Sequence, residues 1–237
     1  MKVVTSFSKE GYQLYGRVCL ESFVKHWPCE IVVFYETQPN FSHEKIEYRD
    51  LFDIEGIRPF LEHLNSVDGA DGVLDGHYDY RFDASRFCRK VFAVDSVFDE
   101  DDIVFWLDAD TVTFKEIPED FLKDLVKNDP FCYLGRSNFC SETGFVGFNT
   151  KHPDFYPFRE RYLPTYTSGG FMSLRTWEDA VVFDHARSGL KGNDLNHTML
   201  QGVDHVWPHT VLGKYMEHMK GGRKLLPKRL SGQFQLP

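Results

Sequence analysis

Two aspartates separated by one alanine follow a run of large apolar residues in the segment VFWLDADTV, residues 104–112. Asp108 and Asp110 would repel each other at the end of a buried strand unless a cation lay between them. Residues i and i+2 of an extended segment point the same way, so both carboxylates can bind one ion. Two carboxylates with an otherwise open coordination shell suit Mg²⁺ or Mn²⁺, completed by water and substrate phosphates. The segment therefore favours a divalent-metal site over a pair of solvated acids.

The same segment resembles the DxD motif of nucleotide-sugar-dependent glycosyltransferases with the GT-A fold. A second segment, HMKGGRK at residues 218–224, resembles the HxxGxxK pattern near the C-terminus of glycosyltransferase family 8. The resemblance implies three metal ligands on the donor diphosphate, namely Asp108, Asp110 and His218. It also implies that Gly221 and Lys224 contact the diphosphate. The chemistry agrees, since a neutral imidazole suits Mn²⁺, a glycine admits a phosphate close to the backbone, and a lysine supplies a point charge.

Further donor-binding residues follow from the same resemblance. The family wraps the nucleotide base with the end of its first strand, which here holds Thr5 and Phe7. Tyr12, or Tyr15 in its place, could stack on uracil or belong to the helix core. A basic residue in the helix before the DxD strand meets the donor in this family. We expect that role of Arg86 and Lys90, which lie four apart on one helix face, with Ala109 of the DxD motif also at the donor.

The segment SETGFVGFN, residues 141–149, resembles the part of the family that lines the donor-sugar and acceptor pocket. Glu142 is its carboxylate and our candidate to stabilise an oxocarbenium ion or to act as nucleophile. Asp179 and Asp184 are further candidate catalytic acids. Family 8 enzymes retain the anomeric configuration, so the resemblance implies retention, whereas an inverting enzyme would need one of these acids as a general base. We thus expect a metal-dependent transfer of sugar from a nucleotide diphosphate donor, a UDP-sugar, to an unknown glycan or other hydroxyl acceptor.

Two other functions fit part of the pattern. The residues DADTV also match the DxDx[TV] motif of haloacid-dehalogenase-like phosphatases, with Asp108 as nucleophile and Asp110 as acid/base. In that class, however, the motif usually stands near the N-terminus, whereas here a strand, a helix and a second strand precede it. A non-catalytic GT-A protein that binds glycans is the third interpretation, and the complete set of predicted ligands speaks against it.

The elements that must position these residues begin with a strand at Lys2–Phe7, a helix at Gly11–His26 and a strand at Glu30–Tyr35. This βαβ order predicts a parallel sheet. Residues 37–80 are expected to form a loop excursion around a short helix. The remaining predictions are a helix at 83–95 capped by Asp83 or Ser85, strands at 103–107, 130–134 and 144–148, a helix at 177–187, a polar loop at 189–197, and a helix at 212–219.

These elements predict one α/β domain over residues 1–237. The resemblance specifies it as a GT-A, Rossmann-like fold, whose mixed, mainly parallel sheet carries helices on both faces. Residues 1–112 would form the nucleotide-binding half and residues 113–237 the half for the acceptor and the donor sugar.

Composition limits the partners. A net charge of −9 argues against nucleic-acid binding, while six bases against one acid between Lys214 and Arg229 suit a compact anion such as a diphosphate. The five cysteines lack CxxC spacing, so neither a disulfide framework nor a zinc site is expected. No apolar run reaches membrane-spanning length, and the first residues do not resemble a signal peptide. We therefore expect a cytoplasmic protein.

Overall fold

A computed structural model describes residues 1–196 and 205–219 of the chain. Its strands are β1 (Lys2–Phe7), β2 (Glu30–Tyr35), β3 (Ile46–Asp50), β4 (Val73–Leu74), β5 (His77–Tyr78), β6 (Ile103–Leu107), β7 (Thr111–Thr113), β8 (Phe131–Leu134), β9 (Glu142–Asn149), β10 (Asn193–Asp194) and β11 (Met216–His218). Three of them, β1, β2 and β6, have the predicted bounds.

Seven of these strands form the central sheet, in the order β10-β8-β9-β6-β1-β2-β3. β1 pairs in parallel with both β2 and β6, β2 with β3, and β8 with β10. Only β9 runs against its neighbours β6 and β8. The sheet is therefore mixed and mainly parallel, as predicted, and β6 brings the DxD segment to the middle of its carboxyl edge.

The helices are α1 (Lys9–Gly11), α2 (Arg17–His26), α3 (Ile57–Leu64), α4 (Ala84–Asp95), α5 (Glu119–Leu125), α6 (Phe155–Thr167) and α7 (Asp179–Ala186). They cover both faces of the sheet because side chains alternate between faces along each strand. Val3 and Phe105 pack in the core that contains α2 and α5, whereas Val4 and Trp106 pack in the core that contains α3, α4, α6 and α7.

Several local predictions were incomplete. The predicted helix at Gly11–His26 contains one π-helical segment, Tyr12–Gly16, between α1 and α2. The excursion at residues 37–80 includes not only α3 but also the parallel edge strand β3 and the hairpin of β4 and β5. The helix predicted from Trp177 begins at Asp179, and Asp83 is the side-chain N-cap of α4.

The helix predicted at 212–219 was wrong. Val211–Lys214 forms a short 3₁₀ turn, and the chain then becomes the strand β11. The reason is tertiary, because β7 offers a free edge and β11 pairs with it in antiparallel register. A short segment of mixed propensity follows such pairing rather than its local preference.

Within residues 1–196 and 205–219, no helix combines the length and the apolarity that crossing a lipid bilayer would require.

Candidate metal and donor site

The two aspartates of the DxD segment lie in a tight turn after β6. The backbone N–H of Asp108 donates to the carbonyl of Gly144 (2.8 Å), which ties the turn to β9, and the N–H of Thr111 donates to the carbonyl of Asp108 (3.0 Å). Thr111 then starts β7. Asp108 is half-buried and Asp110 is buried. The end of a buried central strand thus presents both carboxylates at the carboxyl edge of the sheet, where ligands bind in open α/β sheets.

A two-stranded ladder brings His218 to this turn from more than a hundred residues away. β11 pairs with β7 so that His218 lies opposite Thr111, and the N–H of Met219 donates to the carbonyl of Asp110 (2.9 Å). The imidazole Nε2 lies 2.9 Å from Oδ1 of Asp110 and 3.5 Å from Oδ2 of Asp108. The structure therefore brings together the three ligands that the sequence predicted.

These three residues fit a divalent cation. Their candidate ligand atoms all lie within 4.8 Å of one another, which is the spacing of groups that share one ion. Two carboxylates with one imidazole suit Mn²⁺ better than Mg²⁺, because Mg²⁺ prefers oxygen ligands. The two other residues of the second motif, Gly221 and Lys224, lie outside the described residues.

The carboxylate of Asp108 is oriented by two donors on a single oxygen. The indole Nε1 of Trp106 donates to Oδ1 (2.6 Å), and the ammonium of Lys90 lies 3.3 Å from the same atom. Oδ2 is the oxygen that faces His218. Because the protein's donors occupy Oδ1, a cation would be held through Oδ2.

Lys90 is a buried cation that connects the DxD turn to α7. Its ammonium lies 2.7 Å from Oδ2 of Asp179 and donates to the carbonyl of Thr143 (2.6 Å), and it stands 5.0 Å from the centre of the Trp106 ring. Burial lowers the pKa of Lys90, but the attraction of Asp108 and Asp179 outweighs burial and raises the pKa above its ordinary value. Lys90 was predicted to reach the donor, and the structure places it as the charged centre of a carboxylate network.

A first cavity of about 420 Å³ opens on one side of the DxD turn. The predicted donor-binding residues that line it are Phe7, Arg86, Lys90, Asp108, Ala109 and Asp110. Among the described residues, all of its lining except Asp179 comes from residues 6–110. Its walls combine the exposed cation Arg86 with aromatic and hydroxyl groups, which is a suitable mixture for a nucleotide.

Two predicted donor contacts lie away from this cavity. Thr5 is fully buried within β1 and does not line it. The hydroxyl of Tyr12 donates to Oδ1 of Asn40 (2.7 Å), and Tyr15, the alternative, is the tyrosine that lines the cavity. The sequence left both tyrosines open, and Tyr15 is the one that can meet a base in this cavity.

A second cavity, of about 670 Å³, lies on the other side of the DxD turn and shares Arg86, Asp108, Asp110 and Asp179 with the first. It is also lined by Glu142, His218, Tyr80, Arg136 and Glu178, among others. Burial raises the pKa of Glu178 above its ordinary value. The two cavities meet at Asp108 and Asp110, and His218 lines the second one, so the predicted metal ligands lie where donor and acceptor pockets of a group-transfer site would join.

The three predicted catalytic acids occupy different positions. Asp179 lines both cavities, and it accepts a hydrogen bond from Thr143 Oγ1 (2.7 Å) on the same oxygen that meets Lys90. Glu142 lines the second cavity but is buried against His218. Asp184 lines neither cavity, because it accepts hydrogen bonds from Ser141 Oγ (2.6 Å) and Arg187 Nε (2.8 Å). The structure therefore brings only two of the three acids to the site.

Some residues of the site were not predicted. Trp106 precedes Asp108 by two positions, so the alternation rule for strands could have placed its indole beside that carboxylate. Arg136 and Tyr80 carry no comparable signal, because loops distant in sequence bring them to the second cavity.

Comparisons with known proteins address the fold. No protein-family model matches the chain, and no curated protein sequence matches it. Among solved structures, the apo bifunctional glycosyltransferase WbbM is similar, with a TM-score of 0.52 and 16% identity over 97% of this chain and 44% of that chain. A glycosyltransferase involved in the glycosylation of the major capsid of PBCV-1 has a TM-score of 0.50 and 13% identity, over 97% of this chain and 98% of the other.

A third similar structure, mouse xyloside xylosyltransferase 1 in its apo form, has a TM-score of 0.46 and 13% identity over 90% of this chain and 92% of that one, and it supplies no further argument. At these identities the likeness concerns architecture alone. The chain has the mixed α/β fold of the GT-A glycosyltransferases, which is the fold class predicted from the sequence.

Proposed function

We propose that this chain is a metal-dependent glycosyltransferase that moves a sugar from a nucleotide diphosphate donor to a hydroxyl acceptor. The observation that carries the proposal is the convergence of Asp108, Asp110 and His218 at the junction of two cavities. The GT-A fold adds support, since structures with that fold and activity resemble this chain over nearly its full length. Membership of family 8 is part of the proposal and rests on the two sequence motifs.

The donor would occupy the first cavity, with its base and ribose in the half formed by residues 1–112. Phe7 and Tyr15 line that cavity and offer aromatic surface to a base such as uracil. The diphosphate would reach the DxD turn, where Asp108, Asp110 and His218 would hold Mn²⁺ and Arg86 would add a second positive charge. A metal bound there stabilises the negative charge that develops on the departing diphosphate.

Glycosyl transfer breaks the bond between the anomeric carbon and the distal phosphate oxygen and forms a bond from that carbon to the acceptor oxygen. The acceptor hydroxyl gives up its proton in the process, and the oxygen of the departing diphosphate can accept it. Arg86 lies at the junction of the cavities, where it can bind the leaving phosphate. Asp179 also lies there, and because its contacts with Lys90 and Thr143 both use Oδ2, Oδ1 is available to a hydroxyl of the donor sugar.

The second cavity would hold the acceptor. Tyr80 offers a half-exposed ring for stacking against a sugar, and Glu178 offers a carboxylate that can accept from hydroxyls. Retention of the anomeric configuration and a UDP-sugar donor belong to the proposal by resemblance to family 8. Asp184 has no part in the proposed chemistry, since Ser141 and Arg187 bind it outside both cavities.

The test is metal-dependent turnover of nucleotide sugars. Purified protein is incubated with a panel of UDP- and GDP-sugars, with Mn²⁺ or with EDTA, and release of the nucleoside diphosphate is measured. We expect release that requires metal and that falls at least about 100-fold in Asp110→Ala and His218→Ala, which corresponds to about 2.7 kcal/mol of lost transition-state stabilisation. Asp102→Ala, an exposed acid outside both cavities, is the matched control.

Three outcomes would overturn the proposal. Equal metal-dependent turnover in wild type and both ligand variants would remove the metal site from the reaction. Hydrolysis of phosphate esters with phosphorylation of Asp108 would support the phosphatase interpretation instead. The GT-A fold disfavours that interpretation, and so does the hydrogen bond from Trp106 to Oδ1 of Asp108. Glycan binding without any donor turnover would instead support the non-catalytic interpretation.

A further inference from the structure

Glu142 is a buried carboxylate on the side of His218 that faces away from the two aspartates. Its Oε1 lies 3.3 Å from Nδ1 of His218, while Nε2 of the same ring faces Asp110 and Asp108. Both residues are 3% exposed. The imidazole of His218 thus lies between the two aspartates on its Nε2 side and Glu142 on its Nδ1 side.

Nδ1 of His218 has no hydrogen bond to any other group in the described chain. A buried ring nitrogen without a partner is costly, because it gives up its hydrogen bond to water. Oε1 of Glu142 is an acceptor just beyond the usual N–H···O range of about 2.7–3.2 Å. Oε1 also accepts from the backbone N–H of Gly144 (3.1 Å), and Arg136 lies 3.9 Å from Oε2. The carboxylate is therefore held in place from two directions.

Two neighbours, Gly144 and Trp207, restrict the position of the ring. A Cβ atom at Gly144 would lie 2.6 Å from both Cε1 and Nδ1 of His218 and 3.0 Å from Oε1 of Glu142. The imidazole consequently occupies space that only a glycine leaves open. The ring of Trp207 lies 5.2 Å from the imidazole centre and packs against it.

We propose that Glu142 is a positioning residue for the metal site: it accepts a hydrogen bond from Nδ1–H of His218 and so presents the Nε2 lone pair to the cation. This inference rests on the proposed metal site and changes the role of Glu142, which the sequence suggested as nucleophile or oxocarbenium stabiliser. Histidine ligands commonly donate their second N–H to a carboxylate, and removal of that partner typically weakens metal binding about 10- to 100-fold.

Two conservative substitutions separate positioning from charge. Glu142→Gln keeps an oxygen acceptor at the same reach and removes the negative charge. Glu142→Asp keeps the charge and withdraws the oxygen by one methylene. The dissociation constant for Mn²⁺ is measured by EPR of the free ion, and thermal unfolding confirms that each variant is folded. We expect Glu142→Asp to weaken Mn²⁺ binding at least about tenfold and Glu142→Gln to weaken it clearly less.

The second part of the experiment repeats the Glu142→Asp substitution in a protein that lacks His218. Because Glu142 acts through His218, Glu142→Asp should change the Mn²⁺ dissociation constant less than about twofold when combined with His218→Ala, since the coupling of the pair is then absent. Asp102→Asn, at an exposed carboxylate outside both cavities, is the control for loss of a negative charge and should leave Mn²⁺ binding within about twofold.

Two results would assign the effect of Glu142 to something other than positioning His218. One is that Glu142→Gln weakens Mn²⁺ binding more than Glu142→Asp, which would assign the effect to charge. The other is that Glu142→Asp costs the same factor with and without His218. If the wild type binds no Mn²⁺, or if His218→Ala binds it equally well, the proposed metal site itself fails. If His218→Ala weakens Mn²⁺ binding but the Glu142 variants bind Mn²⁺ as the wild type does, the metal site is supported and the positioning role of Glu142 is wrong.

Discussion

Replacing Lys90 by methionine would leave two carboxylates without their shared buried cation. Asp179 would lose the ammonium at 2.7 Å and keep only Thr143, whereas Asp108 would lose a weaker contact at 3.3 Å and keep Trp106. Breaking a buried pair by removing one partner costs about 3–5 kcal/mol. Because the side chain of Asp108 is 30% exposed and that of Asp179 only 8%, most of the cost comes from Asp179. We expect about 3 kcal/mol for Lys90→Met, at the lower end of the range.

The assay is urea denaturation of metal-free protein in EDTA, followed by fluorescence, with thermal unfolding recorded on the same samples. A loss of about 3 kcal/mol lowers Tm by roughly 6–12 °C in a chain of this size. The double variant Lys90→Met/Asp179→Asn should recover at least about half of the loss, because no buried charge is then left unpaired. Lys123→Met, in the exposed pair with Glu119, should leave the urea midpoint close to that of the wild type, because water screens the pair. A Lys90→Met variant within about 1 kcal/mol of wild type would refute this account of the network.

Three further predictions test separate parts of the account. Gly144→Ala should weaken Mn²⁺ binding at least about tenfold, because the added Cβ displaces His218. In Gly147→Ala the Cβ would instead meet the core ring of Phe105 at 2.4 Å, so this variant should lower the free energy of unfolding by about 1–3 kcal/mol and leave Mn²⁺ binding unchanged. The reverse pattern would contradict the packing described. The pKa of Glu100 is lowered to about 2, chiefly by Arg49 and then by Lys2. Glu100→Gln should therefore lower the free energy of unfolding by about 1 kcal/mol at neutral pH after solvent screening, and urea denaturation should show this difference from wild type disappear as the pH falls from above 4.5 toward about 2. A pH-independent difference would contradict this. Arg86→Ala should raise the KM for the nucleotide sugar at least about tenfold through loss of a charged contact to the diphosphate, and unchanged steady-state kinetics would remove Arg86 from the donor site.

The prediction of the sheet from sequence succeeded where burial and alternation carry a strong signal. Strands such as Glu30–Tyr35 and Ile103–Leu107 contain runs of apolar residues that are buried on both faces, so their bounds follow from composition. The edge strand Ile46–Asp50 was missed because its side chains are only partly buried and include three charges. The helix Phe155–Thr167 was missed as well, since its pattern is broken by prolines and is aromatic on several sides.

The grouping of the candidate site residues could be predicted where their spacing in the sequence reflects their geometry. Asp108 and Asp110 could be placed together because they follow one strand two residues apart, although a tight turn presents them and not the extended segment that was predicted. His218 could be joined to them only through the resemblance to a known motif, since the ladder that brings it there pairs segments more than a hundred residues apart. The place of Glu142 behind His218 had no sequence signal, because it depends on the space that Gly144 leaves for the ring.

The metal site can be tested most directly by diffraction from crystals grown with Mn²⁺ and UDP, with data collected at the manganese absorption edge. The account predicts one anomalous peak within bonding distance of Asp108 Oδ2, an oxygen of Asp110 and Nε2 of His218, with the diphosphate of UDP completing the coordination. A manganese peak elsewhere, or UDP bound in the first cavity with no metal at these three residues, would contradict it.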